Sequence, residues 1–168
     1  GAEIAILGNA QYDLDIALEE LKPLSKTAIA ILCDVSDEDS MNKAFSKFDE
    51  SFDRLSILVS NAAIQPFGTV GDTSLKIWNK VQGTNLNGAY LSARASIPRM
   101  RKSGGGSIIN ITSVQGTATQ KRVAAYSTSK GGLLALTRAI AVDHAEDKIR
   151  CNSVSPGCID APMTKFSA

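Results

Sequence analysis

Three residues of the chain have side chains suited to proton transfer: Ser113, Tyr126 and Lys130. Tyr126 and Lys130 are four residues apart, so a helix through them places both on one face, one turn from each other. A cationic ammonium beside a phenol favours the phenolate, which makes tyrosine usable as a general acid or base near neutral pH. Ser113 follows a strand-like segment, and its hydroxyl can polarise a carbonyl or alcohol oxygen. The pattern therefore predicts proton transfer to or from a C–O group, coupled to hydride transfer.

The elements that must position these residues alternate between strand and helix. Continuous apolar runs predict strands, and apolar residues at helical spacing predict helices. The predicted strands are 3–7, 27–33, 55–59, 107–111 and 149–154, and the predicted helices are 11–22, 37–52, 74–100 and 125–145. Such strands indicate a parallel sheet covered on both faces, which is an α/β doubly wound fold. Without a linker or an internal repeat, residues 1–168 are expected to form a single domain.

The composition excludes several classes of protein. The apolar fraction of 43% and the charged fraction of 21% are typical of a globular protein, and a net charge of +1 gives no reason to expect nucleic acid or an anionic membrane as a partner. No apolar run reaches the ~18 residues that a membrane span needs. The three cysteines, Cys33, Cys151 and Cys158, are an odd number without C-x-x-C spacing, which favours reduced thiols and a cytoplasmic location.

The single histidine, His144, argues against two familiar kinds of active site. A Ser-His-Asp hydrolase would need this residue, yet it lies late in a predicted helix, away from any nucleophile in the sequence pattern. A zinc site would need several His or Cys residues converging, and the sequence has no such cluster. We therefore expect neither a hydrolytic triad nor a metal.

Further short motifs follow each other along the chain. They are Asp34-Val35 after an apolar strand, Ser60-Asn61-Ala62-Ala63 after the next, Asn85 in Thr-Asn-Leu-Asn-Gly, the Ser113, Tyr126 and Lys130 set, and Asn152-Ser-Val-Ser-Pro156-Gly157. In this order and at these spacings the chain resembles the short-chain dehydrogenase/reductase family over nearly its whole length. The resemblance is loosely closest to members that act on sugars and cyclic alcohols. It implies a Rossmann-like fold and an NAD(P)-dependent oxidoreductase that interconverts a secondary alcohol and a ketone.

The resemblance also implies a role for each catalytic residue. Tyr126 would pass the proton, Ser113 would steady the reacting oxygen, and Lys130 would bind the nicotinamide ribose and favour the phenolate of Tyr126. Asn85 would hold a water that links Lys130 to solvent, although Asn87 competes for that position. The alternative for either asparagine is a structural role, in a local helix irregularity where the side chain bonds the backbone.

The cofactor-binding residues implied by the resemblance follow the strands. Asp34 and Val35 would contact the adenine, although Asp34 also suits a turn or a helix cap. Asn61, Ala62 and Ala63 would let the backbone approach the adenine ribose, with Ala63 standing where the family has glycine. After the last strand, Pro156, Gly157 and Ile159 would lie beside the nicotinamide.

The Gly-rich phosphate loop expected after the first strand of a dinucleotide-binding fold has no match in the chain. Gly1–Leu7 resembles the family's second strand, so we expect a first strand, loop and helix of roughly 30 residues before it. The substrate lid and last strand of the family would follow Ala168. If these parts were truly absent, the alternative would be a catalytically inactive fragment or a binding scaffold of the same fold.

The choice between NAD and NADP turns on the end of the first strand of this chain. An acid there would bind the ribose 2′-hydroxyl of NAD, and an arginine would accept the 2′-phosphate of NADP. The strand runs into Gly8-Asn9-Ala10, which has neither. Because no basic residue lies near Gly8, NAD is weakly favoured.

The sequence says less about the substrate and the assembly. A small-molecule alcohol or ketone is expected, with Gln65, Gln115 and Gln120 as polar residues that can bond its hydroxyls. Family members usually pair two long helices across a subunit interface, which implies a homodimer or homotetramer. The apolar residues that would serve this purpose also suit packing against the sheet; they are Ile77, Val81, Leu133, Leu136 and Ile140.

Overall fold

A computed structural model describes residues 1–160 of the chain. The chain divides into two compact units, Gly1–Asp53 and Arg54–Ala168. The expectation of a single domain stays a prediction.

The first unit contains two parallel strands, β1 (Ala5–Gly8) and β2 (Ile29–Leu32), each followed by a helix. The helix α1 (Gln11–Leu21) ends just before Pro23, which cannot continue a helical hydrogen-bond ladder. The β–α alternation in this part of the chain is the one that the hydrophobic pattern predicts.

The helix α2 (Glu38–Ser51) closes the first unit and has a well-defined start. The carboxylate of Asp37 accepts a hydrogen bond from the backbone N–H of Ser40 at 2.7 Å, which satisfies one of the free donors at the helix N-terminus. Four residues at helical spacing are buried on one face of the helix: Met41, Ala44, Phe45 and Phe48. Both the start of this helix and its buried face agree with the helix that the apolar spacing predicts over 37–52.

The second unit is built on a three-stranded parallel sheet in the order β3 (Ile57–Ser60), β4 (Gly106–Ile111) and β5 (Ile149–Val154). Two long helices of this unit, α4 (Gly88–Lys102) and α5 (Ala124–Asp143), contribute to its core. Ala93, Ile97 and Met100 of α4 and Ile140 of α5 pack there with Ile108, Ile149 and Cys151 of the strands.

The side chains of β3 are more exposed than expected for a strand that is buried on both faces of the sheet. Ile57 is 61% exposed and Val59 is 53% exposed, whereas Ile108 of β4 is fully buried. The strand is present as predicted, but it is not buried on both faces, because Leu58 and Ser60 are half-buried and Ile57 and Val59 are exposed.

The long helix predicted over 74–100 is interrupted in the structure. An α-helix, α3 (Leu75–Gln82), passes into a π-helical turn, Gly83–Asn87, which leads into α4. The side chain of Ser74 caps the start by accepting a hydrogen bond from the backbone N–H of Ile77. A π-turn adds a residue to one turn of helix and is frequent at functional sites, and this one contains Asn85.

The glycine run between α4 and β4 is a turn, as its position between a helix and a strand indicates. Gly104 and Gly105 have φ values of 86° and 126°, in the region that favours glycine. A Cβ on Gly105 would lie 2.6 Å from the backbone oxygen of Lys148, while one on Gly104 would meet no atom within 4 Å. Only Gly105 therefore combines an unfavourable φ with a steric conflict.

We predict that Gly105→Ala destabilises the protein by roughly 3 kcal/mol, because the Cβ clashes with backbone and the φ is strained. Gly104→Ala is the matched control and should cost about 1 kcal/mol, from the φ alone. Urea denaturation of both variants measures the two values. Equal losses of unfolding free energy would show that the contact with Lys148 carries no weight.

Candidate active site

The carboxyl ends of the three strands in the second unit meet at one cavity of about 680 Å³. The loop after β3 contributes Asn61, the loop after β4 contributes Ser113, and the loop after β5 contributes Pro156. The cavity also receives Tyr126 and Lys130 from the start of α5. In parallel α/β sheets, ligands bind outside the carboxyl ends of the strands, so this is the place where a site is expected.

Ser113 is buried at the end of β4, where it starts a short 3₁₀-helix, Val114–Gly116. Its Oγ accepts a hydrogen bond from the backbone N–H of Gln115 at 3.2 Å. Since the backbone amide occupies a lone pair of the oxygen, the hydroxyl proton stays available for donation to a ligand in the cavity. The geometry thus suits a residue that polarises a substrate oxygen.

Tyr126 and Lys130 lie one turn apart in α5, as predicted, and both are buried. The ammonium nitrogen of Lys130 is 5.6 Å from the centre of the Tyr126 ring, within the range of a cation–π contact. The same Nζ donates a hydrogen bond to the backbone oxygen of Ile111 at 2.6 Å. A positive charge is therefore held beside the phenol by the end of β4.

Burial lowers the pKa of Lys130 to about 8, because the interior disfavours the charged ammonium. At neutral pH the side chain is still protonated, although it lies close to the point at which it loses its charge. A lysine in this state lowers the stability of the folded protein, and fully buried lysines are correspondingly rare.

Asn85 lies in the π-turn and is 1% exposed. Its Oδ1 accepts from the backbone N–H of Ile64 at 2.8 Å, and its Nδ2 donates to the backbone oxygen of Ile64 at 3.0 Å. The Nδ2 also donates to Oγ of Ser129 at 3.0 Å. The side chain therefore joins the loop after β3 to α5, and its predicted water-mediated link to Lys130 stays a prediction.

Ser129 extends this connection to Tyr126. Its hydroxyl accepts from Asn85 and donates to the backbone oxygen of Tyr126 at 2.7 Å. The chain of bonds from Ile64 through Asn85 and Ser129 to Tyr126 is buried throughout its central part. Sequence reasoning missed Ser129, although its position between Tyr126 and Lys130 in the motif was a usable signal.

The 3₁₀-helix after Ser113 lies unusually close to α5. A Cβ on Gly116 would be 3.0 Å from the backbone of Lys130, and a Cβ on Gly131 would be 3.3 Å from the backbone oxygen of Gly116. The backbone N–H of Val114 donates to the oxygen of Pro156 at 3.1 Å. These contacts hold the Ser113 loop against both α5 and the loop after β5.

Thr112 is a second positioning residue that the sequence analysis missed. Its backbone N–H and its hydroxyl both donate to the backbone oxygen of Val154, at 2.8 and 2.9 Å, and the hydroxyl also bonds Oγ of Ser155. The two strand ends that carry Ser113 and Pro156 are thereby tied together. A threonine just before a candidate serine gave no distinctive signal by itself.

The structure brings most of the predicted site residues to the cavity. Besides Ser113, Tyr126 and Lys130, the predicted residues in its lining are Asn61, Ala62, Ala63, Gln65, Gln115, Gln120, Pro156, Gly157 and Ile159. Cys158, which was not predicted, lies among them. Their parts in cofactor or substrate binding stay predictions.

Asp34 and Val35 belong to the first unit and are not part of this lining. Asp34 is exposed, and its Oδ1 accepts from both the backbone N–H and the hydroxyl of Ser36, at 2.9 and 2.7 Å. Asp34 therefore forms the turn that its residue type also suits. Its contact with an adenine, like that of Val35, stays a prediction.

Residues 1–160 contain no candidate for two other classes of site. No group of three or more His, Cys, Asp or Glu residues is arranged to hold a metal ion. In the same part of the chain, no helix has the length and apolar character that crossing a membrane requires.

With this geometry in place, comparison with known proteins decides the family. The family model described as short chain dehydrogenase matches residues 1–168. The chain belongs to the short-chain dehydrogenase family. The predicted Rossmann-like α/β class is thereby confirmed, since solved members superpose on this short-chain dehydrogenase almost throughout. The 3-ketoacyl-(acyl-carrier-protein) reductase from Brucella melitensis, solved with NADH, has a TM-score of 0.92 at 25% identity and covers 98% of this chain and 69% of its own.

Two curated relatives are similar in sequence over most of the chain. The 2-(R)-hydroxypropyl-CoM dehydrogenase of Xanthobacter autotrophicus is 37% identical in an alignment of 170 positions that covers 95% of this chain and 68% of the relative. The cyclopentanol dehydrogenase of Comamonas sp. is 38% identical over 149 residues, or 89% of this chain and 60% of the relative. The short-chain dehydrogenase described here thus spans about three fifths to two thirds of the length of these relatives.

We predict that Lys130→Met raises the unfolding free energy at pH 7 by about 1 to 3 kcal/mol, because a buried charge is removed at the loss of one hydrogen bond. The folded-state pKa of Lys130 is about 8 and its ordinary value is 10.5. Between these values the unfolded wild-type chain binds more protons, so wild-type stability rises with pH and the difference shrinks.

Urea titrations at pH 7 and pH 10 test this, with the exposed Lys121→Met as a control that should change stability by less than ~0.5 kcal/mol. A Lys130→Met variant less stable than wild type at pH 7 would mean that the lysine is structural.

Proposed function

We propose that this short-chain dehydrogenase is an NAD(P)-dependent oxidoreductase that interconverts a secondary alcohol and a ketone, with Tyr126 as the general acid/base. The observation that carries the proposal is the convergence of Ser113, Tyr126 and Lys130 in the lining of one cavity. Relatives named 2-(R)-hydroxypropyl-CoM dehydrogenase and cyclopentanol dehydrogenase support the same class of substrate.

The chain's own residues divide the work on a C–O group. The hydroxyl of Ser113 donates to the reacting oxygen, and Tyr126 takes the proton from an alcohol or returns it to a ketone. The charge of Lys130, 5.6 Å from the ring centre, favours the phenolate that must form when Tyr126 gives up its own proton. Because Ser113, Tyr126 and Lys130 are buried, their charges and dipoles act more strongly than they would in water.

The cavity has room for a nicotinamide cofactor. Small residues, Ala62, Ala63 and Gly157, line it, and a Cβ placed on Gly157 would meet no atom within 4 Å. The open space beside Gly157 therefore lets a ring or a ribose approach the backbone of this loop. When bound, the cofactor supplies the hydride acceptor or donor that the alcohol–ketone interconversion needs. A relative solved with NADH supports this choice of cofactor class.

Other properties remain proposals that rest on weaker support. A cytoplasmic location is consistent with three free cysteines. A homodimer or homotetramer is proposed from the family alone, because Val81, Leu133 and Ile140 are already buried within one chain and are not evidence for an interface. Ile77, which is 42% exposed, is the one of the five apolar residues with substantial free surface.

For the reaction itself, we predict that Tyr126→Phe in the complete protein lowers kcat/KM for cyclopentanol with NAD by about 10²- to 10⁴-fold, the usual contribution of a general acid/base. The exposed Tyr90→Phe is the matched control and should retain wild-type activity. Fluorescence titration with NADH should give the same affinity for both variants. Retained turnover in Tyr126→Phe would refute the assignment of the tyrosine.

For the cofactor, we predict a higher kcat/KM with NAD than with NADP. The strand β1 runs into Gly8-Asn9-Ala10, which supplies no arginine or lysine for a 2′-phosphate. Steady-state kinetics of the complete protein with each cofactor at a fixed alcohol concentration measures the ratio. A preference for NADP would mean that a basic residue outside this segment reads the 2′-phosphate.

A further inference from the structure

Gln115 is the middle residue of the 3₁₀-helix that follows Ser113, and its position is closely held. Its backbone N–H bonds Ser113 Oγ, and on its C-terminal side the backbone N–H groups of Gly116 and Thr117 donate to Ser113 and Val114 at 2.9 and 3.0 Å. The Gly116 backbone is pressed against α5. The side chain is thus presented to the cavity from a rigid turn, two residues from the serine that would contact the reacting oxygen.

The carboxamide of Gln115 lacks the partner that a buried polar group normally has. Its Oε1 is buried and makes no hydrogen bond within the protein. By contrast, Gln82 donates through Nε2 to the backbone oxygen of Ala125 at 3.0 Å, and Gln11 donates to Asp15 at 2.7 Å. Most buried side-chain polar atoms are paired, and an unpaired one is costly. A ligand in the cavity is the natural source of the missing partner.

The other two glutamines of the cavity do not have this property. Gln65 is half-buried and Gln120 is exposed, and neither has a buried side-chain atom without a partner in the described part of the chain. Water can satisfy an exposed amide at little cost. Gln115 is therefore distinguished from Gln65 and Gln120 by an unmet hydrogen bond rather than by residue type.

The chemistry of an amide limits what can bind it. Rotation about its last torsion angle turns either Oε1, an acceptor, or Nε2, a donor, toward the cavity. A hydroxyl both donates and accepts, so it can pair with the amide in either orientation, whereas a ketone or carboxylate oxygen can only accept. Since Ser113 and Gln115 are two residues apart on one turn, a hydroxyl on Gln115 would be close to the carbon–oxygen bond that reacts at Ser113.

We propose that the preferred substrate carries a second hydroxyl adjacent to the reacting alcohol, and that Gln115 binds this hydroxyl. The inference rests on the proposed alcohol–ketone activity and narrows it from simple alcohols to vicinal diols and their α-hydroxy ketone products. In the forward direction the reacting carbon loses a hydride to NAD and its oxygen loses a proton through Tyr126. The product is an α-hydroxy ketone with NADH, and the second hydroxyl is unchanged.

The test compares two ring alcohols that differ by one hydroxyl, cyclohexanol and trans-1,2-cyclohexanediol, with NAD and the complete protein. We expect the wild type to have a kcat/KM at least fivefold higher for the diol, about the gain from one hydrogen bond. Gln115→Met, which keeps the length of the side chain, should lower the ratio of diol to cyclohexanol at least fivefold. Gln11→Met, in α1, is the matched glutamine control and should leave the ratio unchanged.

The possible results distinguish a failure of the proposed alcohol–ketone activity from a failure of the role proposed for Gln115. If wild type oxidises neither alcohol, both the proposed function and the inference fail. If it oxidises cyclohexanol as well as the diol, or if Gln115→Met changes the ratio by less than fivefold, the activity stands and the role of Gln115 is overturned. An equal fall in kcat/KM for cyclohexanol and for the diol in Gln115→Met also overturns the role of Gln115, because that result indicates a structural effect on the turn after Ser113.

Discussion

The site in the second unit depends on the buried carboxamide of Asn85. Through both its oxygen and its nitrogen it binds the backbone of Ile64, in the manner of a strand neighbour, and it reaches Ser129 on α5 as well. The π-turn around Asn85 allows this, because the extra residue in the turn breaks the regular progression of side chains around the helix. Three segments distant in sequence are thereby joined by one side chain that solvent barely reaches.

The remaining contacts of the site add to this arrangement by bringing backbone close to backbone. Gly116 and Gly131 permit the turn after β4 to lie against α5, and Thr112 ties the end of β4 to the end of β5. Catalytic side chains held by packed backbone lose little entropy when a ligand binds, which is the general advantage of a preorganised site. The same rigidity presents Gln115 to the cavity with its hydrogen bond unmet.

Lys130 illustrates what such a site costs. Its ammonium is buried with one carbonyl as its hydrogen-bond partner, and burial brings its pKa down to about 8. A fold selected only for stability would place an apolar residue here. Under the proposed function, a positive charge near the ring of Tyr126 helps the phenolate to form, so stability and chemistry oppose each other at this position.

The sequence by itself determined the α/β class and the order of the strands and helices. It also singled out Ser113, Tyr126 and Lys130, which the structure brings to one cavity. These features depend on local periodicity and on spacing within a helix, which a single chain displays directly. The tertiary structure alone decided the π-turn inside the predicted helix 74–100, the partners of Asn85, the parts played by Thr112 and Ser129, and which of three similar glutamines is left with an unmet hydrogen bond. The contacts of Asn85, Ser129 and Thr112 join residues 21 or more positions apart in the sequence, and the unmet hydrogen bond of Gln115 depends on the burial of a single atom. Hydrophobic periodicity carries no information about either, because it records which face of an element is apolar and not what that face meets.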